Sequence, residues 1–290
     1  MSDTRALHID PGAGIVHSVD DPRLVDAMEE NAAYALADIA VSLGGERYHG
    51  PDMSRYISGV PIHFLNGVIS ARLPADRLDD AIEQAMEPFK ARSMPMQWMV
   101  GPTSRPDSLG ERLEAHGLIH GGETPCMAVD ISAVPPPAPL PSVAFVEVSN
   151  EAHVEQFSRA AAIGFEYGAE AIPLFQEITA RACLPPNPQW VYHLGLLDGQ
   201  PVATCTTFLH AGVAGLYTIC TVPEARGHGI GGAITQLAVQ HASTLGYRVS
   251  TLQATRMGFP VYRSLGYETC AVFHEYEWTP PHFGESSPLS

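Results

Sequence analysis

A glycine-rich segment in the second half of the sequence has the residue types of an anion-binding loop. Residues 222–232 read Val-Pro-Glu-Ala-Arg-Gly-His-Gly-Ile-Gly-Gly, between a predicted strand and a predicted helix. Glycine has no Cβ, so the backbone amides of such a loop can approach a ligand closely. The first amides of the helix are unpaired and carry a partial positive charge. Together with the guanidinium of Arg226, this arrangement suits a pyrophosphate.

Two kinds of pyrophosphate ligand compete for this loop. Gly227, Gly229 and Gly232 have the spacing of a dinucleotide fingerprint, which also requires an acidic residue about 20 positions later, at the end of the next strand. Residues 249–255 contain no acidic side chain, and the chain after the loop is too short for a doubly wound sheet. The sequence therefore disfavours a dinucleotide.

The composition argues against several other classes of protein. The formal net charge is −16, which disfavours nucleic acid as a partner because the two would repel each other. Hydrophobic residues make up 45% and charged residues 17%, as in a globular protein. No stretch approaches the roughly 20 apolar residues that span a bilayer, and residues 1–10 lack a signal-peptide pattern. We expect no membrane partner and a cytoplasmic location.

Histidine, cysteine and lysine form no other catalytic motif. The 5 cysteines include no Cys-x-x-Cys pair and the 13 histidines no His-Glu-x-x-His, so we expect no metal site. The only lysine, Lys90, is not part of a phosphate-binding Gly-x-x-x-x-Gly-Lys-Ser/Thr loop. An ordinary P-loop nucleotide hydrolase is thereby excluded.

A proline-rich segment separates two parts of the sequence. Most residues from Val134 to Pro141 are prolines, which favours a stiff extended connector. We predict an N-terminal domain over 20–131, a linker over 132–142, a C-terminal domain over 143–279 and a tail over 280–290.

Hydrophobic periodicity predicts alternating strands and helices in both parts. In the C-terminal part, the predicted strands are 143–148, 191–197, 201–210, 215–222, 249–254 and 269–278, and the predicted helices are 151–164, 172–183, 229–245 and 259–265. In the N-terminal part, the predicted strands are 64–73, 97–100 and 127–131, and the predicted helices are 76–92 and 108–116. Both parts end in the order strand, long helix, strand, short helix, strand. This indicates an internal duplication, unless it is only the order that any two α/β segments share.

The glycine loop and a second motif resemble the GCN5-related N-acetyltransferase (GNAT) superfamily. The acetyl-CoA motif of that family is Gln/Arg-x-x-Gly-x-Gly/Ala after a strand, and residues 226–231 match it. Residues 261–267, Val-Tyr-Arg-Ser-Leu-Gly-Tyr, are similar to the family's Leu-Tyr-x-x-x-Gly-Phe. The resemblance covers about residues 143–279. It implies a mixed α/β fold, with a central twisted mixed sheet flanked by helices, present twice if the N-terminal part is a degenerate copy.

The resemblance also implies an activity. Members of the family transfer an acetyl group from acetyl-CoA, the co-substrate, directly to an amine, here that of a small molecule or a peptide. We expect one acetyl-CoA site per chain, in a protein that is a monomer or a homodimer. The alternative is a CoA-sensing or scaffold protein whose GNAT domain is catalytically silent.

Carried over to this sequence, the family motifs assign roles to individual residues. The amides of Gly227, Gly229 and Gly231 would hold the pyrophosphate, and the amide of Val222 would bind the thioester carbonyl. Tyr262 would protonate the departing thiolate, since an unperturbed phenol, with a pKa of about 10, stays protonated at neutral pH. The remaining positions of the expected acetyl-CoA site are Thr221, Arg226, His228, Ile230, Gly232 and Thr255.

Two departures from the family pattern leave the general base open. Many relatives have Asn near the end of the strand before the tyrosine helix, where this sequence has Thr255. Many also have a carboxylate on the strand before the glycine loop, where residues 215–222 have none. The candidates are Glu166, Glu170 and His193, and a chain of water molecules is an equal alternative.

The N-terminal part lacks the glycine loop. At the corresponding place, residues 73–80 include Asp76, Asp79 and Asp80 and no glycine, which would repel a pyrophosphate. We predict that this part does not bind CoA. It is expected to pack on the C-terminal part or to shape the acceptor pocket.

Overall fold

The computed structural model describes residues 14–167, 169–183, 187–281 and 283. The elements of the first half are α1 (Leu24–Ser42), β1 (Glu46–His49), β2 (Ser54–Ile57), β3 (Asn66–Ile69), α2 (Leu78–Ala91), β4 (Met96–Val100), α3 (Leu109–Ala115) and β5 (Ile119–Asp130). Those of the second half are β6 (Val143–Glu147), α4 (Glu151–Gly164), α5 (Ile172–Cys183), β7 (Trp190–Leu197), β8 (Gln200–His210), β9 (Val213–Thr221), α6 (Ile230–Thr244), β10 (Val249–Gln253), α7 (Phe259–Ser264) and β11 (Glu268–Trp278).

A single mixed sheet runs through both halves of the described chain. Its 11 strands have the order β1-β2-β3-β4-β11-β5-β10-β9-β8-β7-β6. Neighbouring strands are antiparallel except for β3–β4 and β9–β10, which are parallel. A parallel pair needs a crossover connection. The long helices α2 and α6 provide the two crossovers.

The two halves exchange their last strands. β11, which ends the second half, lies between β4 and β5 of the first half, while β5 lies between β11 and β10. β5 and β11 pair with each other from Ala128 and Glu268 to Ile119 and Glu277. Each half thus completes the sheet of the other. The proline-rich segment does not divide the sheet, and the boundaries placed around it stay predictions.

The order of elements predicted for both halves is confirmed. The succession β3-α2-β4-α3-β5 recurs as β9-α6-β10-α7-β11, and most predicted ends agree with the observed ones to within about two residues. β5 begins at Ile119 rather than at residue 127. Gly121 and Pro125 weaken the strand pattern in the sequence, but pairing with β11 makes this part of the chain a strand all the same. β3 covers only Asn66–Ile69, since a 3₁₀ turn precedes it.

The beginning of the proline-rich segment lies against α6. Val134 is buried, and its carbonyl oxygen accepts a hydrogen bond from Gln240 at 2.8 Å. The carbonyl oxygen of Pro135 accepts one from Gln236 at 3.0 Å. Side chains of α6 thus provide partners for the carbonyl groups of Val134 and Pro135, and this part of the predicted linker is attached to the second half.

Three elements of the first half, α1, β1 and β2, escaped prediction. α1 buries residues on several sides, so its sequence shows no single apolar stripe. The helix contacts β2 in the first half and β8 and β9 in the second. β1 and β2 have only 4 residues each, too few for an alternating pattern to stand out.

The helices cover both faces of the sheet. Successive residues of a strand point to opposite faces. Along β7, the indole of Trp190 bonds to α1 and the ring of Tyr192 packs on α4, whereas His193 contacts His241 of α6. Consequently α1 and α4 share one face, and α6 lies on the other.

Candidate functional site

The glycine loop presents bare backbone in front of α6. Gly227 and Gly229 have φ values of +80° and +77°, in the left-handed region that favours glycine. The space that a Cβ would occupy at either position is open to at least 4 Å. Gly229 is the N-cap of α6, a helix of 15 residues with no acidic residue in its first turn. The unpaired amides at this helix start are therefore accessible to an anion.

Strand β9 separates from β10 just before the loop. The two strands pair only over 214–216 and 250–252, and β9 continues to Thr221. Opposite β8, β9 carries a bulge, where Thr218 has a φ of +49° and its carbonyl oxygen accepts a hydrogen bond from Thr204 at 2.6 Å. A β-branched residue with positive φ is strained, and a bulge bends its strand. In the described chain, β9 beyond Leu216 has an edge without a β10 partner.

The amide of Val222 is not available to a ligand. It donates to the carbonyl oxygen of Val202 at 2.9 Å, which corrects the expectation that it binds a thioester carbonyl. Successive amides of a strand point to opposite edges, so the amide of the preceding residue, Thr221, points to the edge that β10 leaves open. The identities of residues 221 and 222 do not determine which of the two amides is free, because that depends on strand pairing alone.

Arg226 anchors the loop instead of extending a free cation into it. Its Nε donates to the carbonyl oxygen of Thr221 at 3.1 Å, and one terminal nitrogen donates to that of Gly164 at 2.9 Å. The other terminal nitrogen lies 2.6 Å from Glu166, whose side chain is 61% exposed. The guanidinium thus joins the loop to the end of α4 and to β9. A contact of Arg226 with CoA stays a prediction.

The candidate bases lie in different surroundings. Glu166 is the ion-pair partner of Arg226, so its carboxylate is engaged in holding the loop. The side chain of Glu170 lies outside the described residues. Neither position provides a carboxylate on β9, and the base stays unassigned.

His193 is a packed residue of the sheet. Its side chain is 4% exposed, and its Nε2 lies 3.1 Å from Nδ1 of His241 in the last turn of α6. Burial, with a further contribution from His241, lowers the pKa of His193 to about 4. The helix rise places His241 about 16 Å along α6 from Ile230. Enclosed beneath the helix, the imidazole of His193 is not accessible to an acceptor, which corrects its choice as a candidate base.

Tyr262 has the surroundings of a phenol that stays protonated. It is 6% exposed on α7, and burial, followed by the nearby thiols of Cys205 and Cys220, raises its pKa. Its hydroxyl forms no hydrogen bond with the residues that the structure describes. Gly258 lies against the ring, where a Cβ would be 2.6 Å from a ring carbon.

The remaining predicted positions have mainly structural contacts. Thr255 caps the helix of Tyr262, since its Oγ1 accepts from the amide of Gly258 at 3.1 Å. Ile230 is buried, and the imidazole of His228 lies 3.4 Å from the carbonyl oxygen of Ala225. A Cβ at Gly232 would touch Val261 at 3.8 Å. Their roles toward CoA stay predictions.

Asn31 of α1 makes a buried contact with β8 and β9 that the sequence did not reveal. It is fully buried, and its amide nitrogen donates to the carbonyl oxygens of Phe208 and His210 at 3.1 and 3.0 Å. Its Oδ1 accepts from the hydroxyl of Tyr217 at 2.7 Å, next to the bulge of β9. A Cβ at Gly215 would lie 2.1 Å from Oδ1 of Asn31. A glycine inside a strand often marks a place where another part of the chain comes close to the backbone, so Gly215 was a sign of this contact in the sequence.

Two kinds of feature are absent from the described residues. No group of three or more His, Cys, Asp or Glu side chains within them could hold a metal ion. No helix within them is long and apolar enough to cross a bilayer.

Comparison with known families and structures agrees with this geometry. The model of the "Acetyltransferase (GNAT) family" matches residues 151–267. Among curated protein sequences no match was found. A GCN5-related N-acetyltransferase from Kribbella flavida superimposes with a TM-score of 0.66 at 21% identity, over 87% of this chain and 97% of that one.

Two further solved structures have the same fold. A GCN5-related N-acetyltransferase from Sphaerobacter thermophilus has a TM-score of 0.60 at 17% identity, over 77% of this chain and 75% of its own. A tandem GNAT protein from the clavulanic acid biosynthesis pathway has a TM-score of 0.58 at 11% identity, over 91% of this chain and 97% of its own. At these identities the likeness concerns the fold, and the predicted GNAT-type α/β fold is confirmed.

Proposed function

Because residues 151–267 form a domain of the GNAT acetyltransferase family, we propose that this protein transfers an acetyl group from acetyl-CoA to the amine of a small molecule or peptide. The observation that carries the proposal is the bare, left-handed backbone at Gly227 and Gly229 in front of α6. Unpaired amides, a helix N-terminus and the absence of nearby carboxylates in the first turn suit the pyrophosphate of CoA.

The residues of the chain divide the work of the reaction. The loop amides bind the pyrophosphate, which lays the thioester along the open edge of β9. There the amide of Thr221 is available to polarise the carbonyl. As the amine forms its bond to the carbonyl carbon and the carbon–sulfur bond breaks, Tyr262 gives its proton to the thiolate. The proton lost by the amine passes to water, because β9 has no carboxylate to accept it.

A pair of glycine substitutions tests the acetyl-CoA site. Gly229→Glu would place a carboxylate in front of α6, and we expect it to abolish acetyl-CoA binding measured by isothermal titration calorimetry. Gly199→Glu is the matched control: Gly199 also has positive φ, +79°, and open space around it, but lies in the β7–β8 turn. Backbone strain is thus the same in both variants. Binding by the Gly229 variant as tight as in the wild type would refute the assignment.

A CoA sensor or scaffold is the second candidate. What favours it is the missing carboxylate on β9, where Gly215 makes room for Asn31. Tyr262, whose phenol stays protonated, favours an enzyme. Release of free CoA thiol over a panel of small amines and peptides separates the two. An enzyme releases thiol with at least one amine, and Tyr262→Phe slows that release while binding is retained; a sensor binds acetyl-CoA and releases none.

A further inference from the structure

A cavity of about 380 Å³ lies in the first half, between the β1–β2 hairpin and the start of α2. Its volume is in the range of small-molecule sites. The buried side chains of Met53, Leu73 and Ala85 contribute an apolar floor. Pro74 and Ala81 are also apolar, and the other lining residues are polar or charged: Tyr48, Asp52, Arg55, Arg77, Asp80 and Gln84.

Four charged side chains share this cavity without neutralising one another. Within the described residues, neither Arg55 nor Arg77 forms an ion pair with a carboxylate, and neither Asp52 nor Asp80 forms one with a cation. Elsewhere in the same half, Arg23, Arg72, Arg92 and Arg112 each pair with an Asp or Glu. Opposite charges that line one space without touching leave room for a ligand, or for water, between them.

The hairpin holds two of these groups in place. The hydroxyl of Tyr48 donates to Asp52 at 2.7 Å, and the guanidinium of Arg55 lies 5.5 Å from the centre of the Tyr48 ring. A Cβ at Gly50 would be 2.2 Å from the Tyr48 oxygen and 2.7 Å from Asp52, so glycine permits this arrangement. Tyr48 thereby fixes one carboxylate by a hydrogen bond and one guanidinium by a cation–π contact.

We propose that this cavity binds a zwitterion of amino-acid type. The carboxylate of the ligand pairs with Arg55 and Arg77, and its ammonium group pairs with Asp52 and Asp80. Its apolar part lies on the floor of the cavity. The formal charges of the four side chains cancel, so a ligand with only an anionic group would face two carboxylates. One with only a cationic group would face two guanidiniums.

The cavity occupies the same place in the repeated order of elements as the glycine loop. Arg77 and Asp80 lie at the start of α2, as Gly229 and Ile230 lie at the start of α6. One helix start presents bare amides, and the other presents charged side chains. The proposal concerns a separate site and holds whether or not the second half transfers acetyl groups.

Calorimetric titration of the full chain with the common amino acids, each at millimolar concentration, tests the proposal. We expect saturable binding of at least one of them. Its methyl ester, which lacks the carboxylate, and its N-acetyl form, which lacks the ammonium group, should bind at least about tenfold more weakly. Inorganic phosphate and methylammonium should not compete.

Matched substitutions locate the binding. Arg77→Ala and Asp80→Asn should each weaken it by about tenfold or more. Arg47→Ala and Asp76→Asn are the controls, since both residues are exposed, carry the same charges and do not line the cavity. A thermal melt of each variant establishes that it is folded.

Several outcomes would overturn the proposal. If no amino acid binds, the proposed ligand class is wrong. If both cavity variants bind the amino acid as tightly as the wild type, the ligand does not bind in this cavity. Phosphate binding that Arg77→Ala removes would identify an anion site instead. Amino-acid binding that the cavity variants leave intact, with thiol release on adding acetyl-CoA, would identify the acceptor of the second half. Amino-acid binding should survive Gly229→Glu, which separates this proposal from that for the acetyl-CoA site.

Discussion

The two helix starts, at α2 and at α6, follow equivalent strands and differ in what compensates the unpaired amides of their first turns. Before α6, Gly227 and Gly229 leave the amides open. Before α2, residues 75–77 form a 3₁₀ turn, and the first turn of the helix contains Asp79 and Asp80. Carboxylates at a helix N-terminus stabilise it as a bound anion would. The same topology therefore leaves a helix start open to an anion only where the chain has not provided its own negative charge.

The carboxylate of Asp79 is held by neighbours in the first half. Arg112 and His116 of the α3 region hydrogen-bond to it, and these contacts, Arg112 first, lower its pKa to about 2. Asp79 therefore joins the start of α2 to α3. In the second half no described side chain does this for α6, whose start is free.

The largest effect is expected from separating the halves. Residues 143–290 expressed alone would lose β5, which leaves β10 and β11 without the strand between them. We expect this piece to lack cooperative unfolding by circular dichroism, because two hydrogen-bonding edges within the sheet are exposed. Co-expression with residues 1–142 should restore a folded complex. A soluble, cooperatively folded piece that binds acetyl-CoA would show that the halves are independent.

A smaller but substantial effect is expected from the contact between the halves at Asn31. Asn31→Ala leaves the hydroxyl of Tyr217 without its acceptor and removes the hydrogen bonds from Asn31 to two buried carbonyl groups, so we expect a loss of about 3 kcal/mol in the free energy of unfolding. Urea denaturation measures it.

Glu30→Ala, at the exposed position just before Asn31 in α1, is the control. It should change the free energy of unfolding by less than about 0.5 kcal/mol. The acetyl-CoA affinity of the Asn31 variant should also fall, since Tyr217 adjoins the bulge that opens β9. Unchanged stability and affinity would mean that the first half is not coupled to the donor site.

The smallest effect is expected from the contact between Asp79, at the start of α2, and His116. Burial acts to lower the pKa of His116, but the hydrogen bonds that the imidazolium donates to the carboxylates of Asp79 and Glu83 outweigh it, so the pKa is raised. Asp79→Asn should lower that pKa toward its ordinary value, measured by NMR titration of the imidazole, whereas Asp76→Asn should not change it.

The linkage of Asp79 to stability has a definite sign. Because its folded pKa is depressed, its contribution is present above the unfolded value of 3.8 and is lost as the pH falls toward about 2. Asp79→Asn should remove this part of the acid sensitivity. An unchanged titration of His116 would mean that the Asp79 contact does not form in solution.

Much of the fold could be predicted where a pattern is local. The apolar positions of α6 recur at helical spacing and the flanking strands alternate, so their ends agree closely with prediction. α1 could not be predicted in this way, because it is buried against both halves and shows no single apolar face. β5 was predicted too short, because its pairing with β11 outweighs its own glycines and proline.

Within the candidate site, residue types and spacing predicted an anion-binding loop, and the family resemblance pointed to Tyr262; both roles stay predictions. Gly227 and Gly229 were identified by spacing, and their left-handed conformation follows from the residue type. The choice of Val222 was wrong and that of His193 was corrected for the same reason. Which amide is free and which imidazole is enclosed depend on pairing and packing with residues far along the chain.

Local chemistry in the sequence determined that α6 begins with bare glycine backbone, that α2 begins with charged side chains, and that a repeated order of elements surrounds them. Tertiary structure alone decided that β5 and β11 change places, that Asn31 enters the second half beside Gly215, and that Arg226 turns back to β9 and α4. The physical reason is range. Conformational preference and helix periodicity act over a few residues, whereas strand pairing and the burial of polar groups join residues tens to more than 100 positions apart.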